Sequence, residues 1–193
     1  MPRNIERDKR EADRRKNQLI EAGFRLFSQN GIETVSLQKV LFHGSCISVD
    51  SKAYLFTAKS GTGKSTHTQL WKKWFGERAV FINDDKPLLK ISAQGVTVYG
   101  TPWDGKHHRS TNTSCPLKAV CILTRNTENS IQRIDKKAAL PMLCQQSYRP
   151  CSPIGTQKML ALVNRLGSSV PLYRLGCNME PEAALVAYHG MNQ

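Results

Sequence analysis

The sequence predicts an α/β fold with a mixed sheet, in which a phosphate-binding loop joins a strand to a helix and a helical appendage precedes the whole. Three observations carry this. From residue 41 onward, apolar runs of strand length alternate with stretches of helical period. The stretch Ala58-Lys59-Ser60-Gly61-Thr62-Gly63-Lys64-Ser65-Thr66 has the glycine spacing of a strand-to-helix turn whose free backbone N–H groups converge on an anion. A second strand-like run, Ala79-Val80-Phe81-Ile82-Asn83, ends in the paired carboxylates Asp84 and Asp85.

Composition narrows the classes. At 193 residues the chain has room for one sizeable domain and a small appendage. No apolar run approaches the roughly 18 residues that span a bilayer. The opening residues, with Arg3, Glu6, Arg7, Asp8, Lys9 and Arg10, lack the apolar core of a signal peptide, so a cytoplasmic protein with no membrane partner is expected. Six cysteines without a Cys-x-x-Cys pair read as free structural thiols. The formal net charge is +13, with nine Lys/Arg against six Asp/Glu in residues 1–40 and nineteen against nine in the rest. Attraction to anions is therefore spread over the main body of the chain and not confined to a basic tail.

The elements follow in order. Residues 3–16 carry charges of both signs and read as a solvated helix or arm. Leu19, Ala22, Gly23, Leu26 and Phe27 form an apolar stripe at helical spacing, Gly31 stops that helix, and Ser36 can cap a second. Residues 41–57 read as two strands joined at Asp50-Ser51-Lys52, the second of which, Ala53–Thr57, delivers the chain to the loop. Beyond the loop, Leu70, Trp71, Trp74 and Phe75 share a helical face, and all four are expected in the core before Gly76 ends the helix.

Leu88–Ser92 and Val96–Tyr99 form a hairpin around Ala93-Gln94-Gly95. The polar stretch from Gly100 to Pro116 suits a loop over a site, with Trp103, Lys106 and Arg109 as its substrate-facing candidates. His107 and His108 are adjacent and lack the i, i+4 spacing of a helical metal pair. Lys118–Thr124 is a buried strand and Ile131–Ile134 its partner. Asp135 caps a helix toward Gln146, in which Pro141 predicts a kink or a late start. A helix around Met159–Val163, a strand at Val170–Leu175 and a final helix opening at Pro181 complete the chain.

Two resemblances stand on these residues. Gln18-Leu19-Ile20-Glu21-Ala22-Gly23-Phe24-Arg25-Leu26-Phe27, with Gly31 and Val35–Val40, resembles the truncated start of a TetR-type helix-turn-helix over residues 16–40. The recognition helix that would read bases is missing, so DNA is not the expected partner. From Leu41 to the C-terminus, the chain resembles the kinase domain of HPr kinase/phosphorylase and its relatives, which share a nucleotide core with ATP-type phosphoenolpyruvate carboxykinase. The features are His43-Gly44, Val49-Asp50, Ser60–Thr68, Asn83-Asp84-Asp85-Lys86-Pro87, Tyr99-Gly100-Thr101-Pro102-Trp103 and Cys177-Asn178-Met179. Ala58 replaces that family's first loop glycine, and the glycine-rich signature tied to dephosphorylation is not recognisable.

This resemblance implies a bacterial ATP- and Mg2+-dependent kinase with residues 1–40 as a helical segment and 41–193 as the ATP-binding domain. Nucleotide binding falls to Ala58, Lys59, Ser60, Gly61, Thr62, Gly63, Lys64, Ser65 and Thr66, and catalysis to Lys64, Asp84, Asp85 and His43, the last lying close to the phosphates. Ser65 and Asp84 are the metal candidates. The chemistry agrees independently. A lysine and a metal offset charge on a transferred phosphoryl group, and a carboxylate takes the proton of an acceptor hydroxyl. Which aspartate does which stays open. So do the acceptor (a protein, peptide or small molecule) and self-association. The alternatives are a nucleotide-binding module without catalysis and, behind it, a TetR-like regulator.

Overall fold

A computed structural model describes residues 38–193 of the protein; the helical segment expected before them, including most of the TetR-like stretch, lies outside the described residues. In chain order, the strands are β1 (Lys39–Leu41), β2 (Ser45–Val49), β3 (Lys52–Thr57), β4 (Ala79–Asn83), β5 (Leu88–Ser92), β6 (Gly95–Tyr99), β7 (Ser114–Arg125), β8 (Ser130–Arg133) and β9 (Leu172–Cys177). Four α-helices accompany them among the described residues: α1 (Lys64–Phe75), α2 (Lys136–Gln146), α3 (Pro153–Ser169) and α4 (Glu182–Asn192).

The long strand β7 joins the sheet together. Its first residues pair antiparallel with β6, while further along it pairs parallel with β3 on one side and β9 on the other. From β3 the ladder continues antiparallel through β2 to β4, and from β6 through β5 to β1. The sheet is thus mixed, as expected, with parallel pairing confined to the three strands around β7.

Successive residues of the central strands point to opposite faces, and both faces are covered. Cys46, Leu55, Val120 and Ile122 enter one core with Leu143 of α2 and Leu166 of α3. Their neighbours Ile47, Tyr54, Phe56, Cys121 and Leu123 enter the other with Trp71 of α1 and Ala184 and Ala187 of α4. Double coverage is why these strands read as continuous apolar runs instead of alternating ones.

Six expectations change. Strand β8 pairs with β9 and not with β7, so Ile131–Ile134 is not the partner of Lys118–Thr124, and β7 itself begins at Ser114, inside the stretch read as a loop to Pro116. Trp71 is fully buried, but Trp74 is 49% exposed in the last turn of α1; helical spacing sets its angular position without saying how far along the helix the cover extends. Helix α2 starts directly after its Asp135 cap, which accepts from the Ala138 N–H at 2.7 Å, and runs through Pro141 without a late start. The last strand begins two residues later than its apolar run, at Leu172. The sheet also takes in Lys39–Leu41, which pairs with β5, so a strand begins inside the stretch assigned to the appendage. No helix among the described residues is long and apolar enough to cross a membrane.

Candidate functional site

The loop after β3 forms at the edge where β3 and its parallel partner β7 end. Ala58 is buried, Gly61 and Gly63 both adopt positive φ (+78° and +117°), and Lys64 is the first residue of α1. A Cβ at either glycine would meet nothing within 4 Å, so glycine is required here by backbone angle and not by crowding. No side chain caps α1 and its first turn holds no acidic residue, which leaves the first N–H groups and the positive end of the helix dipole open to an anion. Arg125 of β7 donates through Nη2 to Gly61 O (2.5 Å) and Nε to Thr62 O (3.4 Å), drawing two loop carbonyls toward itself.

Lys64 is folded over this loop, with Nζ donating to Ala58 O at 3.1 Å and Lys59 O at 3.4 Å. Burial lowers its pKa, and the charges of Asp85 and Asp84 act in the opposite sense. The structure therefore brings the lysine of the loop and the carboxylates of β4's end into one electrostatic neighbourhood.

The two carboxylates differ. Asp84 is 7% exposed; its Oδ1 accepts from Ser45 Oγ at 2.5 Å, while its Oδ2 is buried with no partner. Because the single Ser45 hydrogen goes to Asp84, Ser45 accepts from Thr68 Oγ1 at 2.7 Å, and a chain Thr68–Ser45–Asp84 ties α1 to the acid. Asp85 is more open. Its Oδ1 lies 3.6 Å from His43 Nε2 and its Oδ2 3.3 Å from Lys86 Nζ. His43 Nδ1 lies 2.6 Å from Gln146 Oε1.

Asn83 is the bracket that holds this corner. It is fully buried, with Oδ1 accepting from the N–H groups of Asp85 (2.9 Å) and Lys86 (2.6 Å), and Nδ2 donating to Thr101 O (2.9 Å) and Oγ1 (3.0 Å). The turn bearing the acids and the start of the 100–110 loop are thereby pinned together. Gly100 passes so close that a Cβ there would sit 2.0 Å from Thr111 O. Of the three loop candidates, Trp103 is 45% exposed and Lys106 is exposed, but Arg109 stacks over Phe81 of β4 with its guanidinium 5.4 Å from the ring centre. Asp104 is occupied within the loop by Ser110 and His108.

Beside the glycine loop opens a cavity of about 450 Å³ between α1 and the ends of β7 and β9, lined among others by Gly63, His67, Leu70, Leu123, Asn178 and Met179. Burial pushes the His67 imidazole down to about 3, so it stays neutral. Trp71 Nε1 donates to its Nε2 at 3.1 Å, which places the His67 proton on Nδ1, a buried donor without a partner.

Comparison with known proteins adds little beyond this geometry. No family model matches the chain, and no curated protein matches it. Among solved structures, the Hpr(Ser) kinase/phosphatase from Coxiella burnetii superposes with a TM-score of 0.43 at 12% identity, covering 79% of this chain and 88% of that one.

Among the described residues no group of three or more His, Cys, Asp and Glu side chains is placed to hold a metal by itself. The donor set does suit Mg2+, which is commonly held by one or two carboxylates and substrate phosphates: Asp84 offers an unpartnered oxygen and Ser65 a half-buried hydroxyl.

Sequence reasoning did not find Ser45, Gln146, Arg125 or the bracketing role of Asn83, and it gave Thr68 no role beyond ending the Ser60–Thr68 stretch. Thr68 was within reach: it follows Lys64 by four residues and so shares its helix face. The others are set by strand register and by contacts across the chain.

Proposed function

We propose that residues 38–193 form an ATP- and Mg2+-dependent phosphotransferase acting on a hydroxyl acceptor. The observation that carries the reading is the Thr68–Ser45–Asp84 chain, which fastens a glycine loop's own helix to a buried carboxylate and leaves one oxygen of that carboxylate unpartnered. Structural ion pairs do not need such an oxygen; a bound cation does.

In this reading, the N–H groups at the start of α1 and the loop hold the phosphates of ATP, with Lys64 turning from Ala58 O and Lys59 O to the terminal phosphates. Asp84 and Ser65 would hold Mg2+, which would offset charge on the phosphates. Asp85, the more exposed acid, receives the proton of the acceptor hydroxyl as that oxygen bonds to the γ-phosphorus and the bond to the ADP oxygen breaks. The 450 Å³ cavity takes the nucleoside, with Leu70, Leu123 and Met179 against the base. Trp103 and Lys106 border the acceptor side.

The test is transfer of label from γ-labelled ATP to a lysate by the full chain and by its Lys64→Ala and Asp84→Asn variants. Both variants are expected to lose transfer by about a hundredfold or more. If they turn over ATP like the parent, the site is misassigned; if the parent binds ATP with Mg2+ but labels nothing, the chain is a nucleotide-binding module without catalysis.

A further inference from the structure

We propose that Gln146 is a positioning residue which decides which nitrogen of His43 carries the proton, leaving the lone pair of Nε2 directed at Asp85. Gln146 closes helix α2, is 7% exposed, and comes to His43 from 103 residues away. Two backbone hydrogen bonds hold the segments edge to edge: His43 N–H to Gln146 O at 2.7 Å and Tyr148 N–H to Leu41 O at 2.8 Å, flanking the Phe42–Ser147 bridge. Ser147 Oγ adds a bond back to Leu143 O at 2.8 Å, so the end of α2 is itself anchored.

In that frame, Gln146 Oε1 meets His43 Nδ1 at 2.6 Å. An amide oxygen only accepts, so Nδ1 is the protonated nitrogen. The other nitrogen, Nε2, stands 3.6 Å from Asp85 Oδ1, too far for a made hydrogen bond. Asp85 in turn has Lys86 Nζ 3.3 Å from its second oxygen, and Lys64 and Asp84 lie in the same electrostatic neighbourhood. Nε2 is therefore kept as an acceptor beside the acid that draws the hydroxyl proton, and can take that proton onward to solvent. A histidine whose far nitrogen is held by a fixed acceptor is how rings are oriented in other sites.

The kinetic consequence rests on the phosphoryl-transfer reading; the tautomer does not. Long-range 1H–15N correlation spectra of the full chain, with the His43 ring assigned through His43→Gln, are compared for the parent, Gln146→Leu and Gln146→Glu. The parent and Gln146→Glu are expected to show the proton on Nδ1, and Gln146→Leu a mixture. In γ-phosphate transfer, Gln146→Leu should lower kcat roughly tenfold or more and change KM for ATP by less than about twofold, with Gln146→Glu recovering most of the rate. Should Gln146→Leu fail to fold, Gln146→Asn withdraws the oxygen at smaller volume and serves instead. A parent ring protonated on Nε2, or an unchanged tautomer in Gln146→Leu, overturns the proposal; an unchanged kcat overturns its catalytic part. If the tautomer follows residue 146 while no protein, the parent included, transfers phosphate, the positioning role stands and the kinase reading fails.

Discussion

Asn83→Asp is the sharpest probe of how the site is held. The change is nearly isosteric, so packing is preserved and only the hydrogen-bond pattern changes. The new carboxylate still accepts from the N–H groups of Asp85 and Lys86, but the atom replacing Nδ2 now faces the Thr101 carbonyl and hydroxyl as an acceptor. Two donated bonds disappear at about 1 kcal/mol each, and a buried carbonyl left without its donor adds about 1–3 kcal/mol. The sum, about 3–5 kcal/mol before any cost of burying charge, is a large part of the roughly 5–15 kcal/mol that stabilises a domain. Urea unfolding at neutral pH should show this loss with an unchanged m value. In a cycle with Thr101→Val the two changes should couple by about 1 kcal/mol or more, because they share a contact. Tryptic cleavage at Lys106 should also quicken as the loop is released. An Asn83→Asp protein within about 1 kcal/mol of the parent would refute the bracket, since the Thr101 hydroxyl can turn to the new carboxylate only by giving up its bond to Lys86 O, and the Thr101 carbonyl still loses its donor.

Three further outcomes are expected. Gly100→Ala forces a Cβ to 2.0 Å from Thr111 O and 2.8 Å from Ile82 O, both backbone atoms, and should cost about 2–4 kcal/mol in thermal or urea unfolding. His67, held neutral in the fold with its pKa lowered from 6.5 to about 3, contributes stability that is fully present above pH 6.5 and declines as the unfolded chain protonates below it. The parent should therefore lose about 2 kcal/mol more between pH 6.5 and 4.5 than His67→Gln, measured by urea unfolding at both pH values. Thr66→Trp, an exposed position on the rim of the cavity beside the loop, should weaken ATP binding about tenfold or more by calorimetry while leaving inorganic triphosphate binding and the melting temperature close to the parent's.

Much of this protein is written in local pattern. The strand-to-helix turn at Ala58–Thr66, the apolar run ending in Asp84 and Asp85, the hairpin around Ala93-Gln94-Gly95 and the Asp135 cap follow from neighbouring residues, because dihedral preference, side-chain period and capping act over a few positions. Order along the chain even placed the glycine loop and the acids one helix apart.

Tertiary structure decided the rest. Which of two adjacent aspartates is buried depends on Ser45, which β2 places between Thr68 and Asp84 through its register with β3 and β4. That Gln146 meets His43, that Arg125 reaches the loop carbonyls and that Arg109 turns to Phe81 are likewise matters of register and crossover. A period of two or of 3.6 says which face a residue takes. It carries no information about which residue, 40 or 100 positions away, will stand opposite, and the chemistry of this site is made from such pairs.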